Sequence, residues 1–419
     1  MTQQTRETTV HGTDTHGTDT HGTDAHRTDA HGTAAVVHGT VADGFQAVRE
    51  AFAAFVADER ADYEGQLTAY AHGRRVVDLW ACPQAEGPTG GDTLHGVFSS
   101  TKGAAHLVVA LLVQDGVLEL DRAVAHYWPE FAAEGKGSVT LRELISHRAG
   151  LIGTDAGFTL EELADDRVIA ERLAVQRPFW RPGAAFGYHA LTIGALTGEV
   201  VRRATGRTIQ EVYEERVRVP YGLDFFLGLP AEHEPRFRTV LPMTPTPAQQ
   251  AELDAVPRGP HTLTSIAFNE QVPEPGELTD FPNARIVRAN GQSSAGGVGS
   301  ARGLARMYAA AISGVDGRPP LLKPDTIGEF GQIHSLGHDL VARAPRAFGL
   351  GFQATAENLY PFLGAGTFGH SGAGGSQAFA DPRAGLAYGY TRRRTAFPGG
   401  AAPENEGFVR AVHSAALAL

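Results

Sequence analysis

Apolar positions along the chain follow two alternating periods. Phe45, Val48, Phe52, Phe55 and Val56 recur at helical spacing, with Asp43 in front of them as a cap. Gln66–Ala71 and Arg75–Trp80 read as two strands about a turn at His72-Gly73. A further strand is expected through Thr93–Phe98, running directly into Ser99. The helix that starts there extends to about Gln114 and stops at Asp115-Gly116. Its apolar residues, Ala104 to Val113, lie on every side, so it is expected to be buried rather than amphipathic.

The middle of the chain is mostly helical in pattern. Leu118 to Trp128 is followed by a short helix at Leu141, where Thr140 and Glu143 form a capping box. Leu160–Val175 and Leu191–Ala204 are further helices. From Phe225 to Pro282 the period is lost among prolines and charges. Such a connection is a lid, a binding loop or a plain surface insertion, and the pattern does not separate these. After Arg288 the pattern returns. Ala301–Ile312 is a helix with Leu304, Met307, Tyr308 and Ala311 inward. Gln377–Asp381 and Leu386–Thr391 form a hairpin across Pro382-Arg383-Ala384-Gly385, and Phe408, Val409, Val412 and Ala416 mark a last amphipathic helix. Strands near both ends and helices between them predict an α+β chain. The mixed lobe takes residues 41–98 and 288–419, and a mainly helical lobe, about 99–287, is inserted.

Composition narrows the reading. The 419 residues are 42% hydrophobic and 20% charged, as expected of a globular enzyme, and the net charge of −11 argues against a nucleic-acid partner. The one cysteine, Cys82, precludes an intrachain disulfide and a Cys-rich metal site. The apolar run Leu107–Val113 is far too short to span a bilayer. The polar start, Met1–Val10, lacks the features of a secretory signal, so the cytoplasm is the default compartment. His11 to Thr33 repeats His-Gly-Thr-Asp-Thr/Ala with a period of five, which fits neither helix nor strand. Residues 1–40 are therefore expected to be a disordered leader, and their histidines a low-complexity feature rather than a metal site.

The candidate chemistry sits in Phe98-Ser99-Ser100-Thr101-Lys102-Gly103. Ser99 and Lys102, at i and i+3, share one face at the start of the buried helix. A buried lysine is driven toward its neutral form and can then take the serine proton, and the helix N-terminus favours negative charge on the oxygen. Only three of the 36 Lys and Arg residues are lysine: Lys102, Lys136 and Lys323. Arginine, always protonated, is no base, so a lysine retained here points to its deprotonation. Tyr188 falls in a loop just before a helix, where a phenol beside a lysine ammonium has its pKa lowered and acts as a base. Position alone favours the plainer reading, one core tyrosine among ten. Gly369-His370-Ser371-Gly372-Ala373-Gly374-Gly375 lets substrate approach the backbone and offers an N–H to an oxyanion. Within it, Gly369-x-Ser371-x-Ala373 offers a rival nucleophile on a degraded nucleophile elbow, without the helix that should follow.

These stretches, in this order, resemble the serine β-lactamase superfamily, in particular the branch of class C β-lactamases and family VIII carboxylesterases. Ser99-Ser-Thr-Lys102 matches the Ser-x-x-Lys motif. Tyr188-His-Ala190 stands where the family has Tyr-x-Asn, and His370-Ser-Gly372 where penicillin-recognising members have Lys-Thr-Gly. The likeness extends through Asp78-Leu-Trp80, Leu144 to Leu151, Tyr188 to Gly194 and Phe348 to Gly351. It implies an antiparallel sheet flanked by helices, with no cofactor and no metal. Ser99 would be the acylated nucleophile, Lys102 and Tyr188 would share the proton transfers, and the N–H groups of Ser99 and Ala373 would form the oxyanion hole. His370, Gly372 and Ala190 would line the substrate cleft. Ala190 removes the family's amide and His370 its cation, so the resemblance implies an uncharged acyl substrate rather than a β-lactam. The expected function is a serine esterase on small or short-chain esters. An acyltransferase using the same acyl-enzyme is the runner-up, and a β-lactamase, a peptidase or a non-catalytic binding protein lies further off.

Overall fold

The structure, a computed structural model, describes residues 35–83, 90–255, 259–274 and 276–419. The His-rich repeat lies outside the described residues. Nine strands form the main sheet among them: β1 (Ala35–Val41), β2 (Gly65–Ala71), β3 (Arg74–Pro83), β4 (Ser335–Asp339), β5 (Ala344–Phe348), β6 (Gln353–Ala354), β7 (Phe368–Ser371), β8 (Gln377–Asp381) and β9 (Leu386–Arg392). Their order is β1-β3-β2-β9-β8-β7-β6-β5-β4, with every neighbouring pair antiparallel. Both predicted hairpins form. The β2–β3 turn places His72 at φ 48° and Gly73 at φ 76°, the two positive values that match a two-residue turn to the strand twist.

Residues 35–40 correct the expected leader boundary. They belong to β1, which pairs with β3 from Ala35↔Pro83 to Val41↔Val77. The run Ala35-Val36-Val37 is β-prone, but the adjoining repeat hides it from a compositional reading.

The five longest helices among the described residues are α1 (Gln46–Asp58), α2 (Thr101–Gln114), α3 (Ile193–Thr205), α4 (Ala301–Ile312) and α5 (Asn405–Ala416); all but α3 pack on the sheet, and α3 packs on other helices. The strand alternation sorts residues by size. Phe379, Tyr388 and Tyr390 point to the face covered by α1 and α5, with Phe45, Phe52, Phe408 and Val412. The opposite face carries Ala378, Ala380 and Ala387, and α4 lies against it through Leu304, Ala305 and Met307. Gly389 lies on this small-residue face, opposite Ala378. A Cβ on Gly389 would stand 2.5 Å from the Ala301 carbonyl oxygen and 2.7 Å from the Ala305 nitrogen.

Two other expectations change. The predicted helix Leu160–Val175 is two, Leu160–Leu163 and Asp166–Ala174, because Thr159 caps the first and Asp165 caps the second. The predicted strand Thr93–Phe98 shrinks to His95–Gly96, since the chain turns at Phe98 into a 3₁₀ turn before α2. Thr140 and Glu143 do form their capping box. α2 is buried on all sides from Thr101 to Leu112 and lies between α3 and β7. Among the described residues no helix is long and apolar enough to cross a membrane.

The close approach of α4 to β9 gives a first test. Gly389→Ala places its methyl against backbone that cannot swing away, so the variant should lose about 1–3 kcal/mol and unfold at a lower temperature in calorimetry.

Candidate active site

The turn before α2 is held from three sides. Val97 N donates to Gly297 O at 3.1 Å, Gly297 N donates to Thr101 Oγ1 at 2.9 Å, and Thr101 Oγ1 donates back to Phe98 O. Ser100 Oγ donates to His370 O at 3.1 Å, and Ser376 Oγ to Val97 O at 2.8 Å, which ties the turn to β7. Within this frame Phe98 adopts φ 47°. A bulky residue in the left-handed region is strained, and the strain sits one residue before Ser99. Gly372 belongs to the same frame: a Cβ there would meet Val97 O at 2.2 Å and Ser376 Oγ at 2.3 Å.

Lys102 is fully buried. Its Nζ donates to Ala190 O at 2.7 Å and Ser294 O at 2.9 Å, and lies 3.0 Å from Ser99 Oγ. Burial drives its pKa well below the ordinary 10.5. A neutral amine keeps two N–H groups. The two carbonyls occupy them, which leaves the lone pair directed at the Ser99 hydroxyl.

Tyr188 lies in the loop before α3, as expected, and its hydroxyl is hydrogen-bonded to Ser99. Its ring sits 4.9 Å from Lys102 Nζ and stacks between Phe348 at 5.9 Å and His370 at 5.8 Å. The expected lowering of its pKa is reversed: burial first, and the Asp339 carboxyl in addition, raise it. The Ser99 interaction, which lowers it, does not offset them, so Tyr188 stays a phenol.

Three consecutive backbone N–H groups hold this tyrosine in place. Gly187 N donates to His147 O at 3.1 Å, Tyr188 N to Asp339 Oδ1 at 3.1 Å, and His189 N to His147 Nδ1 at 3.1 Å. His189 Nδ1 in turn donates to Gly187 O at 2.7 Å, and its Nε2 accepts from Leu151 N at 3.0 Å. Burial, aided by neighbouring His189 and Lys102, pushes His147 well below 6.5, and burial takes His189 to about 4, so both rings are neutral.

Ser99, Ala373 and Ala190 line one cavity of about 260 Å³, walled by Phe98, Leu163, Leu191, Phe268 and Phe281. Glu270, Glu274 and Glu277 complete it, and no Lys or Arg is among the described residues that line it. Part of the aperiodic stretch Phe225–Pro282 is thus a cavity wall. His370 and Gly372, expected to line the cleft, do not. His370 is buried behind Tyr188, its Nδ1 donating to Ser371 O at 2.8 Å, and burial, then Lys102, holds it well below 6.5. Ser371 lies on β7 and bonds Gln353 Oε1 at 3.1 Å; no helix follows it, so the elbow reading fails.

Comparison with known proteins shows the family of the chain. The family model described as Beta-lactamase matches residues 48–406. The chain belongs to the beta-lactamase family. It is 32% identical to the esterase/beta-lactamase LipL of Mycobacterium tuberculosis over 377 residues, 86% of this chain and 84% of that protein. Among solved structures, EstA from Arthrobacter nitroguajacolicus Rue61a superposes with a TM-score of 0.83 at 42% identity, covering 90% of this chain and 98% of the other. A family VIII carboxylesterase gives 0.81 at 32% identity, with 91% and 100% covered.

Within this beta-lactamase fold, the sequence reading missed Ser294, His147 and Asp339. Ser294 acts through its carbonyl, so its side chain carried no signal. The Gly291-Gln292-Ser293-Ser294 stretch was the available cue, since Gln292 Oε1 fastens Ser294 N at 3.1 Å and Ala295 N at 2.7 Å. His147 was quoted within Leu144–Leu151, yet its partners lie some forty residues away.

If neutral Lys102 is the base, activity needs its deprotonated form. Activity should then rise with pH through a lysine pKa lying well below 10.5. Lys102→Arg should lose about 10²–10⁴-fold in kcat and regain none of it at alkaline pH, as measured by p-nitrophenyl butyrate hydrolysis.

Proposed function

We propose that this protein is a serine esterase that cleaves small, uncharged esters through an acyl-enzyme on Ser99. The observation that carries the proposal is the Lys102 amine, fixed by two carbonyls with its remaining valence on Ser99 Oγ. The named esterases among its relatives support the ester class.

In acylation, Lys102 accepts the Ser99 proton as Oγ bonds to the ester carbonyl carbon. The carbonyl oxygen becomes an oxyanion facing the N–H groups of Ser99 and Ala373, whose positions on one cavity fit that role. The C–O bond to the alcohol breaks, and the departing alkoxide takes up the proton that Lys102 acquired, passed through the Tyr188 hydroxyl. Water then repeats the attack on the acyl carbon, gives its proton to the same pair, and Ser99 Oγ leaves protonated. The half-buried phenol serves as a relay because its raised pKa keeps the proton on the oxygen between transfers.

The cavity explains the substrate class. Its wall is mostly apolar, and its described charged residues are carboxylates. A substrate carboxylate meets no fixed cation among the described lining residues and is repelled by Glu274 and Glu277. Ala190 contributes only a backbone carbonyl, and that group is spent on Lys102.

Mass spectrometry after brief incubation with p-nitrophenyl butyrate should show a butyryl adduct on Ser99. Ser99→Ala should lose the adduct and turnover, while Ser371→Ala keeps both. An adduct on Ser371 would overturn the assignment. Butyl butyrate formed in preference to butyrate when butanol is added would make the enzyme a transferase.

A further inference from the structure

Tyr188 owes its place to a residue outside every sequence motif of the site. Asp339 ends β4 at the tip of the β4–β5 hairpin and is fully buried. Its Oδ1 accepts three backbone N–H bonds: Val341 N at 2.8 Å, Ala342 N at 2.8 Å and Tyr188 N at 3.1 Å. The first two close the hairpin tip on itself. The third reaches across 151 residues of sequence to the loop before α3. Oδ2 is buried with no hydrogen-bond partner among the described residues.

The tip is seated on the same loop by packing. Leu340 N donates to Phe186 O at 3.1 Å, and a Cβ on Gly187 would touch Val341 Cγ2 at 3.1 Å and Leu340 Cβ at 3.4 Å. Thr264 Oγ1 donates to Val341 O at 2.5 Å, and Val341 packs with Ala190, Ile152 and Ile266. Gly187 and His189 are held by His147 from the other side, so among the described residues Asp339 supplies the hydrogen bond on the Tyr188 backbone N–H itself.

A hydroxyl that must meet Ser99 Oγ tolerates little displacement, because a misplacement near 1 Å costs on the order of 10²-fold in rate.

We propose that Asp339 is the positioning residue for Tyr188, acting through one oxygen on the Tyr188 N–H. The inference rests on the relay role assigned to Tyr188 above. It concerns geometry rather than charge, so asparagine, which keeps that oxygen, should suffice.

The test compares Tyr188→Phe, Asp339→Ala, Asp339→Asn and the double variant Tyr188→Phe/Asp339→Ala, with kcat and KM for p-nitrophenyl butyrate. Asp339→Ala should lower kcat by about 10–100-fold with KM within about threefold, since Asp339 itself is not among the residues that line the acyl cavity. Asp339→Asn should recover kcat to within about threefold of wild type. The double variant should be no slower than Tyr188→Phe, because an anchor has no effect once the hydroxyl is gone. Asp339→Ala at wild-type kcat overturns the inference, as does asparagine failing as badly as alanine, or losses that multiply in the double variant. If Asp339→Ala does not fold, Asp339→Ser, whose shorter side chain withdraws the oxygen, takes its place. Should Tyr188→Phe retain full kcat, the relay reading itself falls, an outcome separate from the loss of Asp339's role.

Discussion

A buried amine without an acid beside it is the constraint on which the site depends. Lys102 is enclosed completely and bonds to Ala190 O, Ser294 O and Ser99 Oγ. A carboxylate partner would have stabilised the ammonium and removed the base. Carbonyl partners orient the nitrogen while leaving burial free to lower its pKa. The same neutrality reaches the neighbours. Tyr188 keeps its proton, and His106 and His189 are pushed to about 4, chiefly by burial. His106, His189 and Tyr188 thus surround Lys102 with neutral donors and acceptors, through which one proton can pass.

Enclosing that amine demands close packing around α2. Gly103 lies where a Cβ would stand 2.3 Å from the Tyr308 hydroxyl, and Gly351 where one would stand 2.1 Å from the His106 ring. Gly372 admits the Val97 carbonyl. Alanines on one face of β8 and β9 let α4 lie close behind. The cost of this packing surfaces as strain at Phe98, whose positive φ turns the chain so that Ser99 meets the cavity.

Charge sets what such a cavity accepts. Its apolar wall suits an acyl chain, and its glutamates disfavour anions, the product acid included. An esterase working by this layout takes in a neutral ester and expels a carboxylate. The family's amide and cation are absent at Ala190 and His370. His370 is buried and stacked on Tyr188.

Local sequence determined much of this. The helical and strand periods located α1, α2, α4, α5 and both hairpins, because side-chain alternation reports burial directly. The i, i+3 spacing put Lys102 against Ser99, since a helical turn is a local geometry. The leader boundary slipped to include β1, because an edge strand of seven residues gains its order from a partner far along the chain. The burial of His370, the pKa direction of Tyr188 and the contacts made by Ser294 and Asp339 were decided by tertiary structure alone. Each depends on which groups burial brings together and from which it removes water. Backbone carbonyls and N–H groups, which every residue carries, leave no mark in the sequence of where they will be spent.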